Sequence, residues 1–149
     1  MQITPANPSD IPALCTLLDL LFSQEAEFRP DRQAQTRGLA SIISDPGVGH
    51  ILVAREGNQV VGMVSLLYTV STALGGRVAL LEDMVVVLQA RGAGLGSQLL
   101  AKAVELARAS GCLRITLLTD RANEPAQRFY QRHGFSLSAM TPMRLMLGE

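Results

Sequence analysis

Residues 89–98, QARGAGLGSQ, set glycines at alternate positions, Gly92, Gly94 and Gly96, between the apolar run ALLEDMVVVL and the amphipathic run LLAKAVELARA. Glycine in regular structure costs about 0.5–1 kcal/mol relative to alanine. Three so close together mark a backbone that must turn sharply and approach something closely. The first amides of the helix that follows have no internal partner and carry the positive end of its dipole, so the turn is suited to phosphate. A strand must therefore feed a helix through this turn.

The familiar nucleotide loops do not fit the spelling. A Walker loop needs Gly-Lys-Ser/Thr at the helix start, whereas Gly96 is followed by Ser97 and Gln98. The dinucleotide pattern G-x-G-x-x-G fails because Gly96 arrives one position too early after Gly92-Ala93-Gly94.

Periodicity supplies the remaining elements. MQIT reads as a first strand. NPSDIPALCTLLDLLFSQEAEF reads as a helix with Asn7 as its cap, Pro8 at its first position and Asp10 placed for the helix dipole. Leu14, Leu17, Leu18, Leu21 and Phe22 give that helix one apolar face. A second helix starts near Asp31 and ends before Pro46 and Gly47, with Gly38 as a weak point. HILVAREGNQVVGMVSLLYTVS gives two strands around Gly57-Asn58, and GGRVALLEDMVVVL a third after Gly75-Gly76, so the three form an antiparallel meander.

Beyond the glycines, Leu95, Leu99, Leu100, Ala103, Val104 and Ala107 mark a helix that stops at Ser110-Gly111. LRITLLT is a strand, EPAQRFYQRHG a helix between Pro125 and Gly134, and FSLSAM and MRLML are closing strands. The order β-α-α-β-β-β-α-β-α-β-β predicts an α/β (mixed α+β) fold, with a mixed, mostly antiparallel sheet flanked by helices.

The 149 residues, 48% of them apolar, suit a single domain spanning 1–149. No apolar run reaches the roughly 18 residues that cross a bilayer, and the start lacks a basic-then-apolar leader, so the expectation is a cytoplasmic protein without a membrane partner. Cys15, Cys112, His50 and His133 are scattered, which suggests neither a metal site nor a disulfide. Zero net charge argues against a nucleic-acid partner. Residues 1–85 hold 5 Arg and 9 Asp or Glu (net −4), and residues 86–149 hold 8 Arg or Lys and 4 Asp or Glu (net +4). The second half suits an anion and the first a cation, or the two form an ordinary solvated mosaic.

Arg91-Gly92-Ala93-Gly94-Leu95-Gly96 resembles the R-x-x-G-x-G/A signature of the GCN5-related N-acetyltransferases (GNAT family). LLEDMVVV is similar to the family's fourth strand, and Asn123, Ala126, Phe129-Tyr130 and Gly134-Phe135 to its second CoA-binding segment. Leu88 and Ala90 depart from the proline and aromatic residue often found before the Arg-Gly pair.

The resemblance implies a GNAT-like fold and acetyl-CoA as cosubstrate. Its pyrophosphate would lie on the backbone of Arg91, Gly92, Ala93, Gly94, Leu95, Gly96 and Ser97. Its pantetheine arm and thioester carbonyl would lie along the backbone of Met84, Val85 and Val86, with Asn123 as a further contact. Glu82 matches the position of the base that takes the proton from the amine, in a Leu-Glu-Asp spelling similar to the polyamine (diamine) acetyltransferase branch. Strand alternation puts Glu82 and Asp83 on opposite faces. Tyr130 matches the acid that protonates the leaving CoA thiolate. Glu25, Glu27 and Phe28 fall where the family borders its acceptor, a small-molecule amine on this reading. A protein or peptide acceptor, or a non-catalytic acyl-CoA sensor, are the alternatives. The closing strands are where the family often pairs subunits, which implies a homodimer.

Overall fold

The computed structural model describes residues 1–23 and 29–148. These fall into two compact units, 1–118 and 119–149. The first unit carries β1 (Gln2–Pro5), α1 (Ile11–Phe22), α2 (Arg32–Ile43), β2 (Gly49–Glu56), β3 (Gln59–Ser71), β4 (Gly76–Val86), α3 (Leu95–Ala109) and β5 (Ile115–Leu117). The strands form one sheet in the order β1-β2-β3-β4-β5. The first three pairings are antiparallel, and β5 joins β4 in parallel, so the sheet is mixed as expected.

The start of α1 differs from the sequence reading. Pro8–Asp10 form a 3-10 turn, capped by Asn7, and the α-helix proper begins at Ile11. Asp10 stands in the first turn as expected and completes a capping box, and it does more. Its carboxylate accepts from the Asn7 amide at 2.9 Å and takes both arms of the Arg55 guanidinium at 2.8 and 2.6 Å. Arg55 also donates through Nε to Thr4 Oγ1 at 3.1 Å, so one buried ion pair ties β1, the turn and β2 together. Asp31 caps α2 through the Ala34 amide, as its position predicts.

The core lies on both faces of the sheet. Leu14, Cys15, Leu17 and Leu18 of α1 and Leu39 of α2 pack on Ile51, Val53, Met63 and Val85. The opposite face receives α3: Leu95 packs with Ala54 and Val61, and a side chain added at Gly62 would meet Leu99. Leu99, Leu100, Ala103 and Ala107 are buried, which confirms the helical stripe read from sequence.

The second unit carries α4 (Glu124–Arg132), capped by Asn123, whose side chain accepts from the Ala126 amide at 3.2 Å. The two closing strands expected from FSLSAM and MRLML are not formed: residues 135–148 carry neither helix nor strand, and Leu137, Met140, Met143, Leu145 and Leu147 are exposed. Apolar alternation makes a segment able to pair, but a strand exists only with a ladder partner, and pattern alone does not name one. Among the described residues no helix is long and apolar enough to cross a membrane.

Candidate functional site

Strand β4 ends at Val86, a single 3-10 turn covers Leu88–Ala90, and the chain enters α3 through the glycines. Gly92 and Gly94 hold φ of 88° and 78°, the left-handed region that disfavours any side chain. A Cβ at either would meet nothing within 4 Å, so the glycines are required for the turn itself and leave an open surface. Arg91 is turned back, its Nε donating to the Val86 carbonyl at 3.0 Å, which pins the turn to the end of β4. The first ladder bond of α3 runs from the Gln98 amide to the Gly94 carbonyl, and no side chain caps the helix. The amides of Leu95 and Gly96 precede that bond and point out along the positive end of the dipole. An open, uncapped, cationic backbone surface of this kind fits a pyrophosphate.

Ala at Gly94 tests that fit. A left-handed residue with a side chain costs about 1–2 kcal/mol, which corresponds to roughly 5- to 30-fold in an equilibrium. The expected result for Gly94→Ala is a KM for acetyl-CoA raised by about that factor at nearly constant kcat, measured by thiol release.

Beside the turn, β4 and β5 part. Their pairing covers Ala79↔Ile115, Leu80↔Thr116 and Leu81↔Leu117, and β4 then continues alone on that side to Val86. Among the described residues no strand pairs with 82–86 on the β5 side, and such an edge suits an extended arm that hydrogen-bonds like a strand. Glu82, Met84, Val85 and Val86 therefore lie together along one opened strand that leads into the glycine turn.

The strand also contains a feature absent from the sequence reading. On β3, one residue, Val64, separates Met63 from Ser65; on β4, two, Asp83 and Met84, separate their partners Glu82 and Val85. This is a β-bulge, and Asp83 takes φ of 54°, the one non-glycine residue with positive φ among the described residues. Strict alternation along β4 is broken by it: Glu82 stands opposite Ser65, and Val85 opposite Met63, so Glu82 and Val85 share the face covered by α1 and α2 despite their odd spacing. Such a bulge interrupts the regular ladder and increases the local twist of the strand. The signal in the sequence is slight, an Asp, which tolerates left-handed φ, within a run of β-formers.

Tyr130 lies on α4 in the second unit. Its ring meets Phe129 and Phe135 edge to face at 5.3 and 5.7 Å, and burial pushes its phenol pKa up. The phenol is therefore protonated at neutral pH, the form a proton donor needs. Asn123, expected as a cofactor contact, commits its side-chain oxygen to capping α4 and keeps its amide nitrogen for other partners. Glu25, Glu27 and Phe28 lie outside the described residues. Cys15 sits in the core and burial raises the Cys112 pKa, so neither thiol is a ready nucleophile.

Comparison with known proteins agrees with this geometry. The model of the acetyltransferase (GNAT) family matches residues 12–135. The chain is 33% identical to the aminoalkylphosphonate N-acetyltransferase of Salmonella typhimurium over 137 residues, 92% of this chain and 86% of that one. Over 78 residues, 52% of this chain and 51% of the other, it is 37% identical to the glucosamine 6-phosphate N-acetyltransferase of Trypanosoma brucei brucei. Among solved structures, a putative acetyltransferase from Agrobacterium tumefaciens superposes with a TM-score of 0.81 at 27% identity, over 98% of this chain and 99% of that one. With a family match across most of its length and relatives that transfer acetyl groups to amines, the chain belongs to the GNAT family and is an acetyl-CoA-dependent N-acetyltransferase.

Proposed function

We propose that the chain acts over 1–149 as one catalytic domain that moves the acetyl group of acetyl-CoA directly onto the primary amine of a small molecule. The observation that carries the reading is the opened segment of β4, which sets a carboxylate, a bulged backbone and the glycine turn in sequence along one strand. When bound, acetyl-CoA supplies an electrophilic thioester. The amides of 92–97 would hold its pyrophosphate, and the backbone of Met84, Val85 and Val86 its arm.

Glu82 is exposed at the mouth of this strand and takes the proton that an ammonium must lose before its nitrogen can attack. A backbone N–H of residues 84–86 would stabilise charge on the carbonyl oxygen with little reorganisation, because a strand holds it fixed. Tyr130 returns a proton to the thiolate. A thiolate is a far weaker base than an alkoxide and a fair leaving group without help, so the acid contributes less than the base. Tyr130→Phe is expected to lower kcat about tenfold, with the loss shrinking as pH falls and solvent supplies the proton, read from a pH series of thiol release.

The likeness to an aminoalkylphosphonate acetyltransferase supports a small acceptor, and two of the relatives act on amines that carry a phosphonate or phosphate. The reading takes the enzyme to be a cytoplasmic homodimer acting on a freely diffusing amine. The test is thiol release with 2-aminoethylphosphonate, glucosamine 6-phosphate, spermidine and a lysine peptide. Turnover confined to the small amines supports the reading, preference between the phosphorylated amines and spermidine decides against or for the polyamine likeness, and turnover of the peptide alone overturns the small-molecule assignment.

A further inference from the structure

Among the described residues two buried side-chain atoms lack a hydrogen-bond partner, Gln35 Oε1 and Ser65 Oγ. Gln35 still donates through Nε2 to Asp19 Oδ1 at 2.9 Å, whereas the Ser65 hydroxyl, fully buried on β3, makes no bond at all. A buried hydroxyl without a partner costs free energy that alanine or valine in its place would recover. Its neighbour across the ladder is Glu82. Residues directly opposite in an antiparallel pair project from the same face with Cβ atoms about 4.5–5.5 Å apart. A glutamate rotamer change therefore brings its carboxylate within reach of the hydroxyl. In the structure Glu82 is exposed while Ser65 is covered, so the bond is unmade.

We propose that Ser65 is a positioning residue for the proton-accepting carboxylate: its hydroxyl donates to Glu82 when the acceptor amine draws that side chain in from solvent. The inference rests on Glu82 being the base. Ser65 is one residue from Val64, which faces the bulge, so the donor sits where the strand departs from regular pairing. The hydroxyl thus leaves the resting enzyme less stable than it need be and contributes in the loaded one. Its deletion should move stability and turnover in opposite directions, which a structural serine would not do.

The experiment compares the full chain with Ser65→Ala, Glu82→Gln and the double variant, using thiol release with saturating acetyl-CoA and the fastest acceptor of the panel above, with 2-aminoethylphosphonate as reference, together with thermal melting. A hydrogen bond to a charged group predicts that Ser65→Ala lowers kcat roughly 10- to 100-fold. Its Tm stays the same or rises, the KM for acetyl-CoA is unchanged, and nothing further is lost in the Glu82→Gln background. Ser65→Cys, nearly the same size but a weak donor, should behave like alanine. A lowered Tm with unchanged kcat overturns the proposal in favour of packing. Equal kcat losses in both backgrounds overturn it because the effect would not pass through Glu82. Unchanged kcat in Glu82→Gln alone overturns the base assignment itself, an outcome separate from the other two.

Discussion

Glu82→Gln is expected to lower kcat/KM for the amine by about 10²- to 10⁴-fold at pH 7, the usual contribution of a positioned general base. Glutamine keeps the shape of the side chain and removes only its ability to take a proton. An aliphatic amine with a pKa near 10 presents about one unprotonated molecule in a thousand at pH 7, so the uncatalysed route to the nucleophile is scarce. The deficit should therefore shrink as pH rises toward the amine pKa, and the KM for acetyl-CoA should stay constant because the glycine turn is untouched. Thiol release measured from pH 6 to 10 on both proteins reads all of this, and a loss below tenfold at pH 7 would remove Glu82 from the base position.

The largest stability effect is expected from Asp10→Asn. The carboxylate is buried, takes both arms of Arg55 and accepts the Asn7 amide, and the variant leaves a half-buried guanidinium facing a neutral group. Breaking such a pair costs about 2–4 kcal/mol, at the lower end for burial because Arg55 retains some exposure. For a chain of this size that is a fall in Tm of roughly 4–16 °C. The pH dependence has a definite sign. The side-chain hydrogen bond from Arg55 is the main cause that holds the Asp10 pKa below its ordinary value, with burial opposing. A lowered native pKa gives stability that is complete above the unfolded value near 3.9 and is lost as pH falls through the native one. The gap in Tm between the two proteins should thus be constant above about pH 5 and close below about pH 4; a gap constant down to pH 2 would show that the charge is not the cause.

These two carboxylates differ in how far the sequence announced them. Glu82 was singled out by the resemblance of LLEDMVVV to the family's fourth strand, and its place on β4, ahead of the glycine turn, was legible because the turn's spelling is local. The Asn7 cap, the start of α2 near Asp31, the Gly57-Asn58 hairpin and the apolar face of α3 were legible because each is decided by residues within a few positions of one another. Asp10 was legible as a first-turn residue but its pairing with Arg55 was not, because the two are 45 positions apart. The bulge at Asp83 and the orphaned Ser65 were not legible either. Both are properties of the register between β3 and β4, and two strands of β-formers are compatible with a register that differs by one residue. The closing segment failed for the related reason that alternation specifies a face and leaves the partner unnamed.

The short ladder between β4 and β5 has a consequence for how the protein comes to be folded. The meander of β2, β3 and β4 closes through neighbouring hairpins, whereas β5 must return across the whole of α3 to meet Ala79, a separation of 36 residues, for only three paired positions. Contacts so distant in sequence and so few are late to form and early to open. β5 is then the last strand of the sheet to be made, and any ligand that binds only the form with β5 in place would, by mass action, hold that strand in the sheet.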